Sequence, residues 1–293
     1  MKKSKAVVVS LFIVLFLSSC ASLAKRERPY FHFQGMARSG TIVATVDAAA
    51  EPDLVASAFG DLSEFARRAR RVSLSLKPTS DSYPVDQEAL DAYGVVEGDF
   101  PRFLLNTGMM YSRELSKKSN KDGGLSWFAQ KNGPLSLYTP KNDELLFTNG
   151  SYEEAYASYK GQQRLITDEM ALRMANASIA LYAYEPETFF DLGLNLPQSV
   201  FQQAREVLML IHQEEGLYTV DAYITMENPK LATTLSQMVR SGYLARLKKD
   251  KIPFKIAELK LMFLLDEELV TIVQMPLSDE QMQMVKQNLT GVL

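Results

Sequence analysis

Two histidines, one cysteine and a few adjacent acids are the side chains in this 293-residue chain best suited to acid–base, nucleophilic or metal chemistry. His32 and His212 belong to no H-E-x-x-H or related ligand spacing, and a lone histidine on a strand reads as a satisfied structural residue. The acidic pairs Asp143-Glu144, Glu153-Glu154, Glu214-Glu215 and Glu267-Glu268 fall at predicted turns and helix starts. Solvation and the helix dipole account for them there. Met282 and Met284 have a spacing associated with soft metals, but on a helix they point to different faces and read as core. There is no G-x-S-x-G elbow, glycine-rich phosphate cradle or EF-hand loop. Gly123-Gly124-Leu125-Ser126-Trp127 reads as a loop entering a strand. The expectation is a protein that is not an enzyme, with no catalytic residues, no cofactor and no metal. A hydrolase with an unrecognised site is the weakest alternative.

Cys20 stands apart because of what precedes it. Lys2, Lys3 and Lys5 give a positive start, and Ala6 to Leu17 is apolar except for Ser10. Ser18 and Ser19 then lead to the cysteine. A charged start, a short apolar run and small residues are the marks of an export signal, and twelve residues are too few to span ~30 Å of hydrocarbon. Leu17-Ser18-Ser19-Cys20 resembles the lipobox of bacterial lipoproteins, a resemblance confined to residues 1–22. It implies cleavage between Ser19 and Cys20 and a diacylglyceryl thioether on Cys20, with acylation of the new amine. Residues 1–19 are then a signal peptide and 20–29 a lipidated tether. Two or three acyl chains anchor a protein stably where one does so only marginally. Ala21-Ser22 lacks the aspartate that marks inner-membrane retention in enterobacterial lipoproteins. The implied location is therefore the outer membrane where a cell has two, and otherwise the cell membrane.

The tether carries Lys25, Arg26 and Arg28, which either touch anionic headgroups or stay solvated. It reaches at most ~30 Å, so the body lies close to the bilayer. The net charge of −3 hides an asymmetry. Residues 1–19 hold three lysines and no acid, so the remainder, with 29 basic and 35 acidic residues, carries −6. An acidic body argues against nucleic acid as a partner, because that affinity comes from phosphate neutralisation.

The elements that would position these residues are α+β. Tyr30 to Ala49 and Val207 to Met226 each read as a β-hairpin, with turns at Arg38-Ser39-Gly40 and Glu214-Glu215-Gly216. Each is followed by a proline-initiated amphipathic helix, at Pro52 and Pro229, with basic residues at its end. Val72–Lys77, Tyr93–Asp99 and a helix after Pro101 match Leu259–Leu265, Leu269–Met275 and a helix after Pro276. These landmarks recur at offsets of 175 to 177 residues. The pattern predicts two duplicated modules of antiparallel strands covered by helices, at residues 30–116 and 207–293. A hairpin-rich insert at 117–206 separates them, with short strands at Ser126–Gln130, Leu135–Thr139 and Leu145–Thr148 and helices at Tyr152–Lys160 and Glu169–Ala177. Residues 116–124 read as an exposed loop.

The expected function is a lipid-anchored, non-enzymatic envelope lipoprotein. It would bind a lipid or other amphiphile in the crevice between the modules, or a partner protein of the envelope, at the membrane surface. The alternative is a structural or membrane-remodelling role through amphipathic helices. The helix from Pro52 to Arg71 is the expected membrane-facing element, with Phe59, Leu62 and Phe65 on its apolar side and Arg67, Arg68, Arg70 and Arg71 at its end.

Overall fold

Side-chain alternation sets the centre of the sheet. In β1 (Ile42–Asp47), Ile42, Ala44 and Val46 enter one apolar cluster and Val43 enters another, so both faces of the strand are buried. β8 (Ile179–Tyr184) does the same, with Ile179, Leu181 and Ala183 on one side and Ala180 and Tyr182 on the other. Such strands avoid water only in the middle of a sheet. There they pair with each other, Ile42 opposite Ala183 and Val46 opposite Ile179. The computed structural model describes residues 31–59, 63–80, 89–161, 165–190 and 198–290.

After β1 come α1 (Pro52–Phe59), α2 (Ser63–Arg68), β2 (Ala69–Pro78), β3 (Leu90–Gly98) and α3 (Arg102–Tyr111). Four shorter strands follow: β4 (Leu115–Ser119), β5 (Ser126–Gln130), β6 (Ser136–Tyr138) and β7 (Glu144–Thr148). Then come α4 (Tyr152–Lys160), α5 (Asp168–Asn176), β8, α6 (Gln198–Phe201), β9 (Ala204–Glu214) and β10 (Leu217–Met226). The chain closes with α7 (Pro229–Lys249), α8 (Ile256–Met262), β11 (Phe263–Asp266), β12 (Leu269–Pro276) and α9 (Asp279–Thr290). Among the described residues the strands form one twelve-stranded antiparallel sheet in the order β11-β12-β10-β9-β8-β1-β2-β3-β7-β6-β5-β4. The fold is α+β.

Local chemistry explains most boundaries. Glu215 and Gly216 both have positive φ, 51° and 83°, which is the two-residue hairpin turn that matches strand twist between β9 and β10. Asn228 Oδ1 accepts from the Leu231 amide at 3.1 Å with Pro229 in the first turn of α7. Ser151 and Thr167 cap α4 and α5 in the same way. The helices divide between the two faces of the sheet. α1, α3, α6, α7, α8 and α9 send Leu54, Met109, Phe201, Leu235, Leu259 and Val285 into one core. On the other face, α4 and α5 place Tyr152 and Met174 against Tyr182 and Leu208, beside a 3-10 turn at His32–Gly35 that contributes Phe33. Among the described residues no helix is long and apolar enough to cross a membrane.

Several expected elements differ. The first half of the Tyr30–Ala49 hairpin is absent: His32–Gly35 is the 3-10 turn, and β8 occupies the place beside β1. Phe31 and Phe33 have strand spacing, but Gln34 folds back to accept a hydrogen bond from the Phe31 amide at 3.2 Å, closing a turn instead. Residues 256–262 are helical, so the strand expected at Leu259 begins at Phe263. Of the helix expected over Pro52 to Arg71, Pro52–Phe59 and Ser63–Arg68 are helical, whereas Arg70 and Arg71 belong to β2. Part of the expected 116–124 loop is the edge strand β4, with Lys117 and Lys118 exposed as edge charges. The two segments also differ in pairing. β1 neighbours β2 with β3 outside it, whereas β10 neighbours β12 with β11 outside it.

Candidate functional site

The helices on the first face leave apolar side chains uncovered at both ends of the sheet. α3 packs beside β4, at one edge. Leu105 and Met109 turn toward the core, and Asn106 pins the helix by donating to the Thr139 carbonyl at 3.0 Å and accepting from its amide at 3.1 Å. That orientation directs Phe103, Leu104, Met110 and Tyr111 into solvent, with Phe103 78% and Tyr111 77% exposed. No charge lies between Phe103 and Tyr111. At the opposite edge α8 packs on β11 and β12 through Leu259, while Ile256 and Leu261 face outward beside exposed Ile252 and Phe254. A helix apolar on both its core and its solvent sides lacks the polar face that suits water. Grouped exposed apolar side chains of this kind mark an interaction surface.

Between these ends, α1 and α9 flank an open groove of about 580 Å³, lined by Asp53, Leu54, Tyr218, Asp279, Met282 and Lys286 among others. One lining residue, Lys286, belongs to a charge pair that ties α9 to the residue preceding α1. Lys286 Nζ lies 2.7 Å from Glu51 Oε2 and donates to Tyr218 Oη at 3.0 Å, and Glu51 is 2% exposed. Burial disfavours the ammonium, but the hydrogen bonds to Glu51 and Tyr218 outweigh it and hold Lys286 above the ordinary lysine range.

On the other face the structure assembles a polar cluster absent from any sequence spacing. His32 Nε2 contacts Glu144 Oε1, and Tyr159 donates to Glu144 Oε2 at 2.7 Å. Burial raises the Glu144 carboxyl, but hydrogen bonds from His32, Lys141 and Tyr159 more than offset this and bring it down to about 2. Glu97 is pushed up, first by burial, although His32 draws it down. Glu144 is thus a buried, paired carboxylate and not the solvated turn acid expected from its neighbour Asp143.

The expected site residues scatter. Arg67, Arg68 and Arg70 are exposed, whereas Arg71 is buried and donates to Thr45 Oγ1, Asp47 Oδ2 and the Ala175 carbonyl. It ties α5 to the sheet, so it cannot face a membrane. The side chains of Phe59 and Phe65, together with Leu62 and Cys20, lie outside the described residues. His212 Nε2 sits 3.6 Å from Asp221 Oδ2 across the β9–β10 ladder. Met282 is buried in the core. The sequence predicts a helix after Pro101 but carries no local sign that Phe103, Leu104, Met110 and Tyr111 on it face solvent, and Glu51 and Glu97 stand in no motif.

No family model matches the chain, and no curated protein matches it. Solved structures do. Crystal form I of TP0453 aligns with a TM-score of 0.60 at 11% identity, covering 87% of this chain and 96% of that one. Form III gives 0.56 at 10%, covering 87% and 97%. Form IV gives 0.54 at 10%, covering 86% and 95%. At such identity the likeness establishes the fold alone.

Proposed function

We propose that this chain is a non-enzymatic, lipid-anchored envelope lipoprotein that binds lipid at the membrane surface through the uncovered apolar side chains of its helical face. The observation that carries this reading is α3, where Phe103, Leu104, Met110 and Tyr111 are exposed together on a charge-free stretch. Each aromatic ring moved from water into the acyl boundary gains about 1–2 kcal/mol at partial burial. A lipid anchor at Cys20, with a tether of at most ~30 Å, keeps that surface within reach of the bilayer. The favoured membrane is the outer one where two exist.

Protein made without its first twenty residues should co-sediment with phosphatidylethanolamine–phosphatidylglycerol vesicles. Phe103→Ser combined with Tyr111→Ser should weaken partition at least about tenfold while leaving the melting temperature near that of the wild type, because neither ring is buried. Wild-type protein that stays in the supernatant at every lipid concentration, or a double variant that binds equally, would sink the reading.

The groove between α1 and α9 supports a second reading, in which a single amphiphile is held there. Leu54 and Met282 offer apolar contact, and Lys286 offers a cation to an anionic headgroup. Native mass spectrometry of protein purified from membranes should then show one retained lipid, lost on Gln283→Glu, which places a negative charge at an exposed position lining the groove. Mass equal to the bare polypeptide plus its anchor argues against it.

A further inference from the structure

We propose that His32, Glu97 and Glu144 form a binding site for one Zn2+ ion on the face of the sheet opposite the exposed apolar helices. Glu97 lies at the end of β3 and Glu144 opens β7, and the antiparallel register sets them directly opposite each other. Like charges so placed weaken a ladder, and here Glu144 is buried and Glu97 partly buried. A divalent cation between them turns that repulsion into coordination. The imidazole supplies the third donor: one ligand atom from each of His32, Glu97 and Glu144 lies within 4.8 Å of the other two. Bonds of about 2.0 Å in a tetrahedral site separate ligand atoms by roughly 3.3 Å, so the ion would replace the direct His32–Glu144 contact, those two atoms moving apart while Glu97 turns inward.

The supporting residues are those a metal site needs. Tyr159 stacks on the His32 ring, with centroids 5.3 Å apart and planes 10° from parallel, and its hydroxyl holds the second oxygen of Glu144. Groups that orient ligands in this way are worth 10–100-fold in metal affinity. The 3-10 turn carrying His32 is itself fixed. Gln34 donates to Asp168 Oδ1 at 3.1 Å, and the Met36 carbonyl accepts from Ser75 at 3.1 Å. The Lys141 ammonium, 2.7 Å from Glu144 Oε1 on a side chain 59% exposed, can move into water when the ion enters.

The donor set selects the metal class. Calcium and magnesium take all-oxygen shells of six or more ligands, whereas one imidazole and two carboxylates suit zinc, with a fourth position left for water. Bound there, the ion would join the first described residues after the tether to β3 and to β7, the latter more than a hundred positions away, since His32 and Glu144 are 112 apart in sequence.

The mature protein in detergent, stripped with EDTA, is titrated with zinc chloride by calorimetry and with cobalt by visible absorption. One ion per chain, a cobalt spectrum of tetrahedral type and a melting temperature raised by zinc are expected. Glu97→Gln keeps the side-chain volume and should weaken zinc binding more than roughly 100-fold, beyond the loss from an orienting group. Lys141→Ala, at an exposed position, should strengthen it several-fold by removing the competing cation. Absence of stoichiometric binding, equal binding by Glu97→Gln, or weaker binding by Lys141→Ala would overturn the site. If Glu97→Gln fails to fold, the wild-type stoichiometry and the direction of the Lys141→Ala change still decide.

Discussion

Lys286→Met is expected to lower the unfolding free energy by about 3 kcal/mol, or roughly 6–12 °C in melting temperature for a chain of this size. The reason lies in what the lysine leaves behind. Glu51 is 2% exposed; its Oε2 meets Lys286 Nζ at 2.7 Å and accepts from Tyr218 at 3.4 Å, and its Oε1 is buried without a hydrogen bond. Without the ammonium, a carboxylate stays buried with only one long hydrogen bond. Lys286 is 31% exposed at its side chain, so the loss belongs at the lower end of the range for broken buried pairs. The double variant Glu51→Gln with Lys286→Met removes both charges and should recover most of the deficit. Urea unfolding of the four proteins measures the coupling directly; a double variant no better than Lys286→Met would refute the pairing argument.

The pH dependence has a definite sign. Lys286 titrates above its unfolded value of about 10.5, so its contribution is complete below that pH and disappears as pH rises through the higher folded value. The gap between wild type and Lys286→Met should therefore be flat across neutral pH and narrow in strong alkali. A gap that widened there would contradict the assignment.

Cys20→Ala is expected to abolish lipid labelling and leave the precursor unprocessed, and globomycin should block maturation of the wild type in the same way. Two or three acyl chains, at ~0.8 kcal/mol per buried CH₂, make the difference between stable anchoring and release. The effect is therefore all or none and not graded. Normal processing of the alanine variant would remove the lipobox assignment, while vesicle binding by α3 would remain open to its own test.

Turns and caps were the most legible features of the sequence. Glu215-Gly216 makes a hairpin because glycine and its neighbour accept positive φ there, and Asn228-Pro229 starts α7 because the asparagine caps while the proline needs no donor. Ser126–Gln130 and Tyr152–Lys160 coincide with β5 and α4. Short apolar runs were misleading where two periods fit equally well. Phe31 and Phe33 have strand spacing yet stack within a turn, and Leu259 and Leu261 have it yet lie on α8, one buried and the other 73% exposed. The arginine run from the end of α2 into β2 pointed to a membrane surface, but its last member serves as a buried tie between β2 and α5.

By itself, then, the sequence determined the export and acylation expectation, the α+β class and the elements bounded by turns and caps. All of these depend on residues within a few positions of one another. Tertiary structure alone decided that β8 lies beside β1, that β12 and not β11 pairs with β10, that Glu144 is buried against His32, and that α3 keeps an apolar side in water. The physical reason is common to all four. Ladder pairing, ion-pair burial and solvent exposure are set by partners far away along the chain, and backbone preference between neighbouring residues carries no information about which distant partner wins.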